Sequence, residues 1–199
     1  MMPDRQTAAL ALKKAGEKNP GPWIAHSNYV AQACWNIAGR CPGMDAEKAY
    51  VLGLLHDIGR YAGVTKEKHL LDGYRFCKER GWDKPAQVCI SHSFMIQDID
   101  SSMSEFDMGE EEQAFLKKFV ESAVYDDYDL LVQLCDALAL PTGFCILEKR
   151  FVDVALRYGT PPPAVPRWKR TLELKAYFEG KTGCSIYSLL PGVAENSIR

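Results

Sequence analysis

Long apolar runs are missing from this chain of 199 residues. No stretch approaches the roughly 20 apolar residues that a transmembrane helix needs, so no membrane association is expected. The start, Met-Met-Pro-Asp-Arg-Gln, has no basic segment leading into an apolar one, and a secretory signal is not expected. An excess of charge of either sign is also missing: 24 Lys and Arg stand against 26 Asp and Glu, a net charge of −2. That balance offers no electrostatic footprint for nucleic acid, although it says nothing about local clustering. The seven cysteines (Cys34, Cys41, Cys77, Cys89, Cys135, Cys145 and Cys184) are odd in number and form no C-x-x-C pair. Most lie among apolar residues, where a thiol acts as a small hydrophobe, so the expected setting is a reducing cytoplasm rather than a disulfide scaffold. No internal repeat, low-complexity linker or convincing period-two run is found.

What is present is helical spacing almost throughout. The hydrophobic share of 47% and charged share of 25% are those of an ordinary soluble protein with a sizeable core. Helices are expected over 7–17 and 23–38, then from an N-cap at Asp45 to the His56-Asp57 pair, with Gly59 as the C-cap. Thr65 is expected to cap a fourth helix running to Arg80, and Pro85 suits the first turn of a fifth that ends near His92. Further helices are expected at 110–121, 127–140, 143–158 and 167–179, the middle two split by Pro141-Thr142-Gly143. The fold class is therefore all-α. Residues 1–199 are read as one domain, with a core over about 20–158 and a C-terminal helical appendage over 159–199, after the Thr160-Pro161-Pro162-Pro163 break. The final helix, around Trp168 to Phe178, either shields a pocket or forms an interface. Oligomeric state is left open.

Chemistry concentrates in a few polar residues embedded in apolar helices. Tyr50 to Ile58 reads Tyr-Val-Leu-Gly-Leu-Leu-His-Asp-Ile, and a buried carboxylate beside an imidazole needs compensation. A divalent cation compensates both, because His nitrogen and Asp oxygen are both ligands. His26, His69 and His92, the other histidines, also sit in or beside apolar helical stretches. Taken singly, each is as well read as a satisfied core or capping residue. From Leu130 to Leu140 nine of eleven residues are apolar, and Asp136 interrupts them. A salt bridge is the plain alternative for Asp136, yet buried ion pairs rarely repay their desolvation. Asp126, Asp127 and Asp129 are read as a solvated first turn favoured by the helix dipole. Four histidines and two carboxylates on five apolar helices are satisfied together by one metal centre.

The order His26 … His56-Asp57 … Asp136 resembles the H…HD…D signature of the HD-domain superfamily of metal-dependent phosphohydrolases, over about residues 20 to 140. His56-Asp57-Ile58-Gly59 is similar to its central motif, with Arg60 where Lys is frequent. The resemblance implies an all-helical bundle in which His26, His56, Asp57 and Asp136 ligate a metal. His69 and His92 match the extra histidines of the H…HD…H…H…D subset, which binds two metals bridged by the Asp of the pair, here Asp57. The gap from His56 to His69 is short, which leaves His69 open as a ligand or as a substrate contact.

The activity so implied is hydrolysis of a small phosphorylated substrate, a nucleotide by resemblance alone, through water activated at one or two divalent metals per chain. Iron, manganese, nickel or zinc suits three or four imidazoles better than magnesium does. Asp57 orients the water, and Arg60 is the leading phosphate contact, ahead of Lys66 and Lys68. Tyr61, Tyr74 and Phe94, although able to stack on a base, are read as core. Two alternatives stay open at this point. One is a di-iron oxygenase using the same six ligands; the other is a non-catalytic ligand-sensing domain of the same fold.

Overall fold

Asp45 does what its position demands: its carboxylate accepts from the backbone N–H of Glu47 and Lys48 and so starts the helix that leads to the His-Asp pair. In the computed structural model, which describes residues 1–198, that helix is α3 (Ala46–Leu55). It follows α1 (Arg5–Lys18) and α2 (Trp23–Ala38), and α2 has the expected bounds. A short 3₁₀ turn (Ile58–Ala62) comes next, then α4 (Lys68–Lys78), α5 (Asp83–Ser91), α6 (Glu110–Ser122) and α7 (Asp127–Ala137). The chain continues through β1 (Ala139–Leu140), β2 (Gly143–Phe144), α8 (Leu147–Tyr158), α9 (Ala164–Thr182) and α10 (Val193–Ile198). The architecture is all-α, as the spacing predicts.

Several local expectations are corrected. α7 stops at Ala137, because Pro141 lacks an N–H and disfavours helical backbone in the residue before it. Ala139 and Leu140 instead pair with Phe144 and Gly143 in a two-residue antiparallel ladder, and Gly143 takes a φ of 142° that favours glycine. α8 consequently begins at Leu147 rather than at 143. Thr65 caps nothing; Glu67 occupies the N-cap of α4 without a side-chain bond. α9 is longer than its expected core, with Pro166 accommodated in the first turn and Gly183 at φ 70° ending it. The short α10 had no sequence signal strong enough to separate it from a loop.

Gly59 is not a C-cap. It lies inside the 3₁₀ turn, where an added Cβ would sit 1.9 Å from the Gly59-facing carbonyl oxygen of His69 and 2.3 Å from the Gly73 nitrogen. Its role is to let the turn after His56-Asp57 lie directly on the backbone of α4. Gly53 serves α3 likewise: a Cβ there would meet the Ala31 Cα at 3.0 Å and the Cys34 Sγ at 2.8 Å, so α2 and α3 pack backbone against backbone.

The largest core joins α2, α3, α5, α7 and α9 through residues such as Ile37, Leu52, Val88, Leu131 and Phe178. Leu174, Phe178, Ile186 and Leu190, all beyond the Pro-rich break, share this core with residues before it. A second cluster of Ala8, Leu12, Trp23, Leu54 and Ile58 ties α1 to α2, α3 and the 3₁₀ turn. A third, around Leu70, Ile90, Phe94 and Leu116, joins α4, α5 and α6. The site described next lies where α2, α3, α4, α5 and α7 meet. No helix of the described residues is long and apolar enough to cross a membrane.

Candidate metal centre

His56 is the C-cap of α3, His92 the C-cap of α5, and His69 the second residue of α4. At each of these positions the ring can reach back to a carbonyl one turn earlier, and all three do. His56 Nδ1 donates to the Gly53 carbonyl at 2.7 Å, His92 Nδ1 to the Val88 carbonyl at 3.0 Å, and His69 Nδ1 to the Lys66 carbonyl. A carbonyl oxygen only accepts, so Nδ1 carries the proton and Nε2 of the neutral ring presents a lone pair. Anchoring the far nitrogen in this way fixes tautomer and ring orientation, as metal-binding histidines require.

The lone pairs converge on carboxylates. Asp57 Oδ1 is 3.2 Å from His69 Nε2 and 3.7 Å from His92 Nε2. On its other side, Asp57 Oδ2 is 3.9 Å from His56 Nε2. Asp136 Oδ1 lies 3.9 Å from the lone pair of His56 Nε2, and it accepts a hydrogen bond from His26 Nε2 at 2.8 Å. All six candidate ligands are thus together, His69 included. Two metal-competent groups, His26-His56-Asp57 and Asp57-His69-His92, share Asp57. Ligands of a common ion at bond lengths of about 2.1 Å stand about 3–3.5 Å from one another, close to the separations seen.

Electrostatics favours a cation between them. Burial pushes the His56 imidazole down to about 4, and burial likewise lowers His92, so both rings are neutral at pH 7. Burial opposes ionisation of Asp57 too, but the Arg60 guanidinium and the neighbouring histidines outweigh it and hold the carboxyl well below the usual range. Asp136 is held low by His26 and Arg150 against the same opposing burial. The neutral acceptor nitrogens of His56 and His92 therefore face ionised oxygens. His56 Nε2 and Asp57 Oδ1 are both buried with no hydrogen-bond partner among the described residues, a costly state that a bound divalent cation relieves. The donor set of imidazoles and carboxylates fits such an ion.

Asp136 departs from the expectation of full burial. Its side chain is 30% exposed at the C-terminal end of α7, on the wall of a cleft of about 730 Å³. Arg60 also lines the cleft, but its Nε donates to Asp57 Oδ2 at 2.6 Å and its Nη2 approaches His69 Nε2 at 3.4 Å. Lys66 is exposed and paired with Glu105, as a solvated surface charge would be. Tyr61, Tyr74 and Phe94 belong to the hydrophobic clusters and none of them lines the cleft. Asp129 is a correction. It is fully buried, accepting from Ser91 Oγ at 2.7 Å, Gln87 Nε2 at 2.9 Å and Lys84 Nζ at 2.5 Å, and it braces α5 against α7 rather than facing solvent.

Sequence reasoning missed the far wall. α8 contributes Arg150, Val154 and Arg157 at spacings of four and three, one helical face, and that periodicity was available. α9 contributes Arg167, for which no pattern in the sequence gives a signal. Glu67 was missed as well: it is buried at the cleft, with Oε1 accepting from Ser102 Oγ at 3.0 Å and Ser104 Oγ at 2.6 Å.

A model of the HDOD domain family matches residues 8–86. The matched stretch holds His26, His56, Asp57 and His69, and stops before His92 and Asp136. This match and the buried His/Asp groups fit an HD-type, all-α fold able to bind a metal ion. No curated protein and no solved structure matches the chain.

Proposed function

We propose that this chain is a metal-dependent phosphohydrolase in which His26, His56, Asp57, His69, His92 and Asp136 would hold two divalent transition metals, with Asp57 common to both groups, and which cleaves a phosphoester of a small molecule. The observation that carries the reading is the position of Asp57, whose two oxygens face different sets of imidazole lone pairs. Two divalent ions there would polarise a phosphoryl oxygen and lower the pKa of water toward neutrality.

The protein's own part is to hold and to orient. Arg60 fixes Asp57 Oδ2 and balances its charge. The carbonyls of Gly53, Lys66 and Val88 fix three rings. Arg150 and Arg157 line the cleft and offset the charge of Asp136 and Asp153 there. A nucleotide is the expected substrate class, on the resemblance to HD phosphohydrolases. Seven free cysteines, six of them buried, support work in a reducing compartment.

The test is metal content by plasma mass spectrometry on untagged, chelator-free protein, followed by a phosphoester panel with and without O₂. The expected result is close to two transition metals per chain and hydrolysis that ignores O₂. The same ligands also serve di-iron oxygenation, so turnover that requires both iron and O₂ would overturn the hydrolase reading while leaving the centre in place. Stoichiometric metal with no turnover of any kind would favour the sensing domain.

A further inference from the structure

Among the described residues, five cations line the cleft, and four of them face carboxylates. Arg60 is paired with Asp57, Lys66 with Glu105, Arg150 with Asp136 and Asp153, and Arg157 with Asp153. Arg167 differs. It has no carboxylate partner within ion-pair distance among the described residues; Glu67 and Asp136 act on it only from further off. Its Nη1 donates to the Ser93 carbonyl at 2.7 Å and the Ser101 carbonyl at 3.1 Å. Nε and Nη2 make no hydrogen bond among the described residues.

A half-buried guanidinium remains charged, so an unpaired one is left incompletely solvated. The two carbonyls cannot neutralise it. They do fix the plane of the fork and orient its remaining edge. One of them belongs to Ser93, next to the candidate ligand His92, which ties this charge to the metal-ligand cluster through a single peptide. Burial lowers the guanidinium pKa, in keeping with a cation held away from water. A fixed fork with free donors matches the geometry of an oxyanion.

We propose that Arg167 is an anion-docking residue that receives a phosphate group of the substrate through its Nε–Nη2 edge. This deepens the hydrolase reading and rests on it for the identity of the substrate. It also gives α9 a function: among the described residues, the helix brings to the cleft the one lining cation not already paired with a carboxylate.

The test uses the full chain with its metal as isolated and inorganic phosphate as the probe. Thermal unfolding is followed against phosphate concentration for the natural protein and for Arg167→Gln. Phosphate should raise the melting temperature of the natural protein. In the variant the half-saturating concentration should rise about 10- to 100-fold, the worth of a charge-assisted hydrogen bond, with metal content unchanged. A merely structural Arg167 would lower stability equally at every phosphate concentration, and that result would overturn the proposal. Should Arg167→Gln fail to fold, phenylglyoxal modification of the natural protein decides. Phosphate is expected to protect Arg167, read by peptide mass spectrometry, and equal modification with and without phosphate would reject docking. Protection of Arg167 in a protein that hydrolyses no phosphoester would keep the subsite and sink the hydrolase reading. Hydrolysis with an unchanged KM in Arg167→Gln would do the reverse.

Discussion

His56 is nearly inaccessible, with 1% of its side chain exposed, and burial pushes its pKa from 6.5 down to about 4. The unfolded chain therefore binds the proton more readily than the folded one. Stability is full above about pH 6.5 and falls as pH drops toward 4, by about 3 kcal/mol over the whole window. The lowered carboxyls of Asp57 and Asp136 act in the same direction, starting below pH 4. Urea unfolding of chelator-treated protein between pH 4 and 7.5 checks this; a flat profile contradicts it. Asp57→Asn removes the shared ligand and leaves Arg60 without its charge partner. Metal content should fall to background in that variant, with stability lower by about 1.5–3 kcal/mol even in chelator. The sequence singled out these residues because polar groups stood in apolar runs. It misread Asp129 because an aspartate in a first helical turn looks the same whether water or a Lys, Gln and Ser trio receives it.

At the scale of elements, the site depends on how closely the 3₁₀ turn approaches α4. Gly59→Ala places a methyl group against the backbone of His69 and Gly73, where no side-chain rotation relieves the clash. The expected cost is about 3 kcal/mol or more, together with loss of metal, because His69 must move. Thermal unfolding and metal content measured together check this; unchanged values in both contradict it. The glycine was legible in the sequence, but its reason was not. A C-cap is a local property, whereas contact between Gly59 and Gly73 depends on where α4 returns. The hairpin of β1 and β2 illustrates the same limit, since Leu138 to Leu140 read as helix until Pro141 and Gly143 acted on them.

Across the whole molecule, the segment after the Pro-rich break is structural. Leu174, Phe178, Ile186 and Leu190 are buried in the main core at about 2 kcal/mol each, together comparable with the stability of an entire domain. A chain ending at residue 158 is expected to lose cooperative unfolding, observable as the absence of a thermal transition by circular dichroism. A sharp transition in that fragment would mean the core closes without α9. Chelation should lower the melting temperature of the full chain and restored metal should raise it again, because an ion bound only by the folded state stabilises it by mass action. Identical melting curves with and without chelator would remove the centre from the account.

By itself the sequence determined the helical class and most helix bounds, and it singled out six candidate residues that the fold brings together. Each depends on short-range pattern: apolar spacing, caps, and polar side chains where apolar ones are the rule. Only the tertiary structure decided that Asp57 faces two groups of imidazoles, that Arg60 is tied to Asp57, and that Asp136 opens onto a cleft. It also brought Arg150, Arg157 and Arg167 across from helices far along the chain. Charges on a helix surface carry no record of what they will face. Their partners are set by the packing of distant apolar faces, and packing is a property of the whole core.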